Sequence, residues 1–336
     1  KQTHEMLFDA HNHAFAVFGG VPRRGIYDNM KTAVDKVHAG KRRSVNARFS
    51  AMVGHFLFEA EFCNPASGWE KGQIEKNVQD ARRRVWPAVP QHFKHLDELN
   101  AWLEDRCKAL WQSLPHPEQR QRTIAEVLQD ELPALMPVPV PFDGFVEQTK
   151  RVTPTCLVHV ERNRYSVPAS FAGRTVSVRL YPACVVFVAE GQKIAEHVRC
   201  IHRSHDGGRT LYDWRHYLSV AQRKPGALRN GAPFLELPEG FRRLQQQLLQ
   251  RPGGDKEMVE ILALVLRHDE QAVLTAVELA LESGAANKQH ILNVLSRLLG
   301  EAPPAPVSTP PTLALQVEPV ADMARYDHLR RARHAA

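Results

Sequence analysis

Two carboxylates stand out by the company they keep. Asp28 closes the segment "GIYDN". Glu75 follows a Lys-Gly pair in "KGQIEKNVQDARRRVW", with Lys76 next to it and Arg82, Arg83 and Arg84 further on. Acids set beside cations suit phosphoryl transfer. A hard divalent cation takes oxygen ligands, commonly one or two carboxylates plus substrate phosphate. Two such ions can activate an attacking oxygen and stabilise a leaving one. The same residues fit a plainer reading, a surface glutamate paired with lysines and an aspartate capping a turn. Composition and spacing alone do not separate the two.

Other motifs carry less chemistry. "HNH" at His11–His13 falls within an amphipathic stretch and lacks a ββα-metal setting, so its histidines read as helix-surface or partly buried groups. His202 and His205 lack the further ligands that zinc needs. "EGQK" and "HDGGR" are glycine turns that do not lead a strand into a helix, which excludes a phosphate loop. "KRR" at 41–43 reads as a basic run in a loop, more often solvated than bound to DNA.

These residues need elements to position them. Met6, Leu7, Ala10, Ala14 and Val17 recur at helical spacing over residues 3–18, and Gly19-Gly20 stops the helix. "RRGIYDN" is a short strand that ends at Asp28, where a side chain can leave a sheet. Residues 46–58 predict a second helix with Phe49, Met52, Val53, Phe56 and Leu57 on one side, and "EAEFC" a strand. The helix bearing Glu75 buries Ile74, Val78 and Val85 and ends at Pro87. Helices at 95–113 and 117–132 follow. After a proline-rich boundary near 133–144 the period changes to two, with turns at Glu161–Asn163, Ala172-Gly173 and Glu190-Gly191. Four or five short strands with no helical insert predict a small β-barrel. From about 213 the pattern is helical again, with stops at Gly284 and Gly300. Prolines between 303 and 311 form a stiff linker to a last segment, "VADMARYDHLRRARHAA".

The totals agree with a multidomain globular protein. The chain has 336 residues, a net charge of +7 and 43% hydrophobic residues, and its pI is about 9.2. The basic balance favours an anionic partner, most often nucleic acid. Five cysteines with no C-x-x-C spacing argue against a zinc ribbon or a disulfide framework and fit a reducing cytoplasm. No apolar run is long enough to span a bilayer. The opening "KQTHEMLFDAHNH", without an initiator Met, reads as the middle of a domain.

Taken in order, "FAVFGGVPRRGIYDNMKTAV" and "NPASGWEKGQIEKNV" resemble the retroviral-integrase-type catalytic core of DDE transposases, more narrowly the IstA type of insertion-sequence transposase. "ERNRYSVPASFAGRTVSVRLY" is similar to the small barrel that follows that core. The resemblance implies a multidomain α+β chain. Residues 1–90 would be the C-terminal part of an RNase-H-like integrase core, 91–144 a helical connector, 145–205 the barrel, 206–300 a helical region, and 301–336 linker and tail.

It also implies functions. Asp28 would be the second and Glu75 the third metal-binding carboxylate, holding two Mg²⁺ (or Mn²⁺) ions together with a first aspartate. Asn29 and Lys31 would flank the site, and Lys71, Lys76, Arg82 and Arg83 would hold the DNA backbone. The chemistry would be strand cleavage followed by 3′-hydroxyl strand transfer, acting on transposon-end and target DNA in the bacterial cytoplasm at the nucleoid. The protein would be a homo-oligomer working with an AAA+ ATPase helper, for which the tail is the docking candidate.

One member of the set is missing. The first aspartate belongs on an upstream strand, and Asp9, on a helix face, does not replace it. The expectation is therefore a chain lacking the first half of the catalytic sheet and any helix-turn-helix, either within a longer protein or as a truncated remnant. It would be unable to complete the site alone, and its Asp28 strand would lack a neighbour. Two rival readings are a non-catalytic DNA-binding remnant and a structural or regulatory protein with no DNA role.

Overall fold

The structure is a computed structural model that describes residues 3–37, 43–63, 68–90, 92–93, 96–201 and 208–300. The chain forms two compact units, Lys1–Val220 and Ala221–Ala336.

The first unit opens with helix α1 (His4–Phe18), which ends where Gly19 takes the left-handed conformation at φ 72°. This is the stop the Gly-Gly pair predicts, because only glycine adopts that backbone without steric cost. Strand β1 (Arg24–Tyr27) follows, then β2 (Val34–Val37) and β3 (Arg43–Val45), helix α2 (Ala47–Phe56) and strand β4 (Glu59–Phe62). β1 and β4 pair in parallel, Arg24 with Glu59 through Tyr27 with Phe62. The Asp28 strand therefore has a neighbour on one side, against the expectation from sequence. Among the described residues this sheet has two strands, so the other edge of β1 is open. Phe8, Phe15, Val21, Phe49, Met52, Phe56 and Phe58 form the core beneath it.

The β2–β3 ribbon lies where the sequence suggested only a basic loop. Lys41 and Arg42 of "KRR" lie outside the described residues, while Arg43 begins β3. α2 starts at Asn46, whose side chain accepts from the N–H groups of Arg48 and Phe49. Leu57, expected on the buried side, is the left-handed C-cap of α2 and is 77% exposed.

Helix α3 (Gly68–Val85) carries Glu75, α4 (Leu96–Ser113) follows, and α5 (Ile124–Glu131) starts at a Thr123/Glu126 capping box. That box is why the last helix is shorter than 117–132. Val85 of α3 is buried as predicted, but Val78 is 47% exposed, which narrows the buried stripe. Ile74's side chain lies outside what the structure describes.

The predicted barrel is two facing sheets. Strands β5 (Val146–Arg151), β6 (Leu157–Val160), β7 (Asn163–Ser166), β8 (Thr175–Leu180), β9 (Cys184–Ala189), β10 (Gln192–Val198) and β11 (Thr210–Leu211) divide as β10-β9-β8-β5 and β11-β7-β6. The sheets share a core of Val158, Val160, Tyr165, Val176, Val178 and Phe187, among others. No ladder closes the barrel among the described residues. Between β5 and β6 the chain crosses from one sheet to the other through a turn with Cys156 at φ 61°, in which the Thr153 N–H donates to the Leu157 carbonyl. The predicted turns are present, with positive φ at Glu161 and Arg162, at Gly173, and at Glu190 and Gly191. Paired positive φ values are what a two-residue hairpin needs to match strand twist.

β11 runs parallel to β7, and Gly208 lets it approach. A Cβ at Gly208 would lie 1.4 Å from the Arg162 carbonyl oxygen. Gly208→Ala is therefore expected to push β11 off β7 and cost about 1–3 kcal/mol. The readout is the urea midpoint, and an unchanged midpoint would contradict this packing.

After α6 (Leu218–Arg223), the second unit contains α7 (Ala227–Asn230), α8 (Glu239–Leu248), α9 (Gly254–Leu262), α10 (Glu270–Glu282) and α11 (Lys288–Leu299). α8, α9, α10 and α11 pack through Leu244, Met258, Ile261, Val273, Val277, Ile291 and Leu295. α9 does not run on into α10, because Asp269 caps a new helix, its side chain accepting from the Ala272 N–H. Gly284 is left-handed at φ 71° just past α10, whereas Gly300 ends α11 at a negative φ. The linker and tail, 301–336, lie outside the described residues.

Candidate functional site

Asp28 stands immediately beyond β1, exposed, at the carboxyl end of a parallel strand pair. Crevices outside the carboxyl ends of parallel strands are where α/β folds place reactive groups. The local backbone is held from two directions. The Asn29 N–H donates to Asp28 Oδ1 (2.6 Å), and Asn29 Nδ2 donates to the Cys63 carbonyl (3.2 Å), just past β4. The Cys63 N–H in turn donates to the Tyr27 carbonyl (2.9 Å). Asn29 thus ties together the ends of the two strands that aim Asp28. Cys63 acts through its backbone, so no side-chain pattern in the sequence could have marked it.

Behind Asp28, Tyr27 turns inward. Its hydroxyl meets His11 Nε2 (2.8 Å), while His11 Nδ1 meets the Leu7 carbonyl (2.7 Å). A carbonyl only accepts, so Nδ1 carries the proton and Nε2 accepts from the tyrosine. Burial holds His11 below the ordinary imidazole range and pushes the Tyr27 phenol up. Asn12 bonds both the N–H and the carbonyl of Phe142, and His13 reaches Glu104 (3.2 Å). The "HNH" residues are therefore structural, in keeping with the reading of that motif as helix residues. Tyr27→Phe leaves His11 Nε2 without its donor. It is expected to lower stability by about 1–3 kcal/mol in chemical denaturation, and a neutral result would contradict the pairing.

The cations are placed as follows. Lys31 is exposed in the turn after Asp28. Lys76, Arg82 and Arg83 are exposed on α3 and have no ion-pair partner among the described residues. Glu75 and Lys71 lie on α3, but their side chains are outside what the structure describes. Helical spacing stacks position 75 with position 82 on one face. Asp9 sits on α1, lining a groove with Glu104 and Trp111 of α4, and does not join Asp28. His202 and His205 lie outside the described residues.

Oxygen donors suit a hard divalent cation, but the described residues do not amount to a metal site. Among them, no group of three His, Cys, Asp or Glu could hold an ion.

A Ser-His-Asp grouping lies in the sandwich. Ser166 Oγ meets His216 Nδ1 (2.9 Å) and accepts from the Asp213 N–H (2.8 Å), while His216 Nε2 is 3.8 Å from Asp213 Oδ2. Ser166 is completely buried, so no substrate reaches it and the grouping is structural. Burial pushes His216 down to about 4, and lowers His197, whose ring packs against it at 5.7 Å. A histidine depressed in the folded state favours unfolding when protonated. Its contribution is complete above the unfolded value of 6.5 and is lost as pH falls towards 4, about 3 kcal/mol over the window for His216. His216→Asn should flatten the fall in urea midpoint between pH 7 and 5, and an identical slope in the variant would contradict this.

Likeness to known proteins places the class first. A family model described as "Mu transposase, C-terminal domain" matches residues 137–206, the two-sheet sandwich and its approaches. Over its whole length the chain is similar to transposases, among them transposases for insertion sequences. It is 65% identical over 340 residues to a transposase of Aminobacter aminovorans, and 64% identical over 337 residues to the transposase for insertion sequences IS1326/IS1353 of Pseudomonas aeruginosa. All of the chain is covered, and it spans 66% of the length of each, just under two thirds. A more distant relative is the transposase for insertion sequence element IS21 of Pseudomonas aeruginosa. It is 30% identical over 186 residues, covering 54% of this chain and 46% of that protein. No helix among the described residues is long and apolar enough to cross a membrane.

Proposed function

We propose that this chain contributes Asp28 and Glu75 to the active site of an insertion-sequence DNA transposase of the DDE type, with an RNase-H-like integrase core. The reaction class is strand cleavage followed by transfer. A 3′-hydroxyl oxygen attacks a target phosphorus, a new P–O bond forms, and the target's own 3′-oxygen leaves with the proton balance restored by solvent. The cofactor class is Mg²⁺ or Mn²⁺, two ions in the complete site, which when bound polarises the phosphodiester and sharpens the attacking oxygen. The observation that carries the reading is Asp28, exposed at the end of a parallel strand and locked there by Asn29, in a chain similar over its full length to a transposase for insertion sequences.

The open edge of β1 supports it further. A two-stranded parallel sheet is unusual because parallel sheets are normally wider and covered on both faces. Ile26, in the middle of β1, is 53% exposed. The sheet has room for another strand, and a carboxylate on it would stand beside Asp28. Lys31, Lys76, Arg82 and Arg83 would hold phosphates of transposon-end and target DNA, with Lys71 joining them on α3. Two DNA ends call for at least two copies of the protein. An AAA+ helper and docking by residues 312–336 belong to the same proposal, and unchanged helper binding after their deletion would discard the docking.

Duplex binding titrated against salt tests the DNA role. Affinity should fall steeply with salt as counterions are released. No binding at low salt would leave a structural or regulatory role, whereas binding without joining activity in the full-length protein would favour a non-catalytic remnant.

A further inference from the structure

We propose that residues 136–145 form a locking strap, pinned by Arg48, which makes the α1–α2 core beside Asp28 and the two-sheet sandwich move as one rigid body. The proline-rich boundary between them is then a fixed joint rather than a hinge. The lock is independent of the chemistry at Asp28, and both halves that it joins belong to the first unit.

The strap is stiff by composition. Pro137, Pro139 and Pro141 alternate with Met136, Val138, Val140 and Phe142. Prolines at alternate positions favour an extended backbone and remove every second N–H group. The remaining polar groups grip the core. Val21 and Met136 exchange both backbone hydrogen bonds, at 2.8 and 2.9 Å. His55 Nε2 of α2 donates to the Val140 carbonyl (2.7 Å). Asn12 of α1 accepts from the Phe142 N–H (2.9 Å) and donates to the Phe142 carbonyl (3.0 Å). Side chains close the contact. Phe142 packs edge-on against Phe8 with ring centres 5.3 Å apart. Gly144 lies so near that a Cβ there would fall 2.4 Å from Phe8 Cβ.

Arg48 closes the lock. Its Nη2 donates to the Asp143 carbonyl (3.0 Å) and to the Phe145 carbonyl (3.1 Å). Its guanidinium lies 5.4 Å from the centre of the Phe142 ring and 4.7 Å from that of Phe145. Arg179 of β8 lies 4.6 Å from the same Phe145 ring. A ring face attracts a cation, so Phe145 takes one cation from the core and one from the sandwich. Tyr181, just past β8, donates its hydroxyl to Asp143 Oδ1 (2.9 Å), and its carbonyl accepts from Arg199, which also pairs with Glu5 of α1. The joint is thus crossed twice, by the strap and by the buried Arg199–Glu5 pair. Relative motion is the default between neighbouring domains unless a substantial interface suppresses it. Here contacts recur along the whole of 136–145, which leaves no run free to bend.

The test uses the full chain with no divalent metal. Spin labels on non-canonical residues at two exposed positions, Glu59 of β4 and Gln192 of β10, leave the native cysteines untouched. Pulsed electron resonance should give one narrow distance, and adding a DNA duplex of arbitrary sequence should change neither its position nor its width. Arg48→Ala should broaden the distribution about twofold or more. It should also speed amide exchange at Phe142 about tenfold or more, while far-ultraviolet circular dichroism shows the chain folded. Asn12→Ala removes the Phe142 bonds without touching Arg48 and should have the same two effects, so it decides the matter if the first variant does not fold. The control Arg174→Ala, whose partner is Glu190 within the sandwich, should have neither effect. A broad distribution in the unaltered chain, a distance that shifts when duplex is added, or an unchanged width in a folded strap variant would each overturn the proposal.

Discussion

Replacing Arg199 by methionine should cost the first unit about 3–5 kcal/mol, enough to threaten its folding. Arg199 is 3% exposed at its side chain and lies just after β10. Its Nη1 donates to Glu5 Oε1 of α1 (2.9 Å) and to the Tyr181 carbonyl (2.8 Å), and its Nε donates to Glu161 Oε2 (3.0 Å). Glu5 is equally buried and also accepts from the Thr3 hydroxyl (2.7 Å). Removing the guanidinium leaves the Glu5 carboxylate dehydrated and without its cation, together with an orphaned carbonyl. The loss therefore exceeds anything the pair contributes when intact, because desolvation is then uncompensated.

A double replacement separates these terms. Arg199→Met with Glu5→Leu removes both charges, leaves Glu161 partly in water, and should recover most of the loss. Urea midpoints of the two variants decide it. Equal destabilisation in both would mean that the buried charge is not the cause. The ion pair also joins α1, whose His11 backs Tyr27 and hence Asp28, to the sandwich. Glu5→Gln should accordingly soften the Asp28 end of β1, as faster amide exchange at Asn29.

The strand-end aspartate, the helix bearing Glu75, the β6–β7 and β9–β10 hairpin turns and the glycine turn before β8 are legible in the sequence because each depends on local rules. Period, glycine stops and turn chemistry act within a few residues. The features that escape a sequence reading are set by distant partners. Arg199 and Glu5 are separated by most of the first unit and look like ordinary surface charges in their own segments. The β2–β3 ribbon is hidden by a basic run that reads as a loop. The barrel becomes two sheets because closure depends on how the chain turns at Cys156, which strand periodicity does not encode. The pairing of β11 with β7 is likewise invisible in sequence, since the two strands are remote from each other along the chain. Val78 misleads because spacing gives a stripe on α3 without saying what covers it.

The proposed catalysis turns on Asp28 and Glu75. Glu75→Gln and Asp28→Asn keep size and hydrogen-bonding capacity but remove the charge that phosphoryl transfer needs beside the phosphates. Neither change should weaken DNA contact, because the cations on α3 and in the turn after Asp28 are untouched. The loss should therefore fall on the chemical step alone. The most direct measurement is strand joining by the protein in its full length, with Mg²⁺ and a duplex carrying a free 3′-hydroxyl end, beside binding of the same duplex. Each substitution is expected to lower joining by about 10³-fold or more while binding stays within about threefold. Joining that persists within about tenfold in Glu75→Gln would contradict the role assigned to Glu75, and with it the central claim.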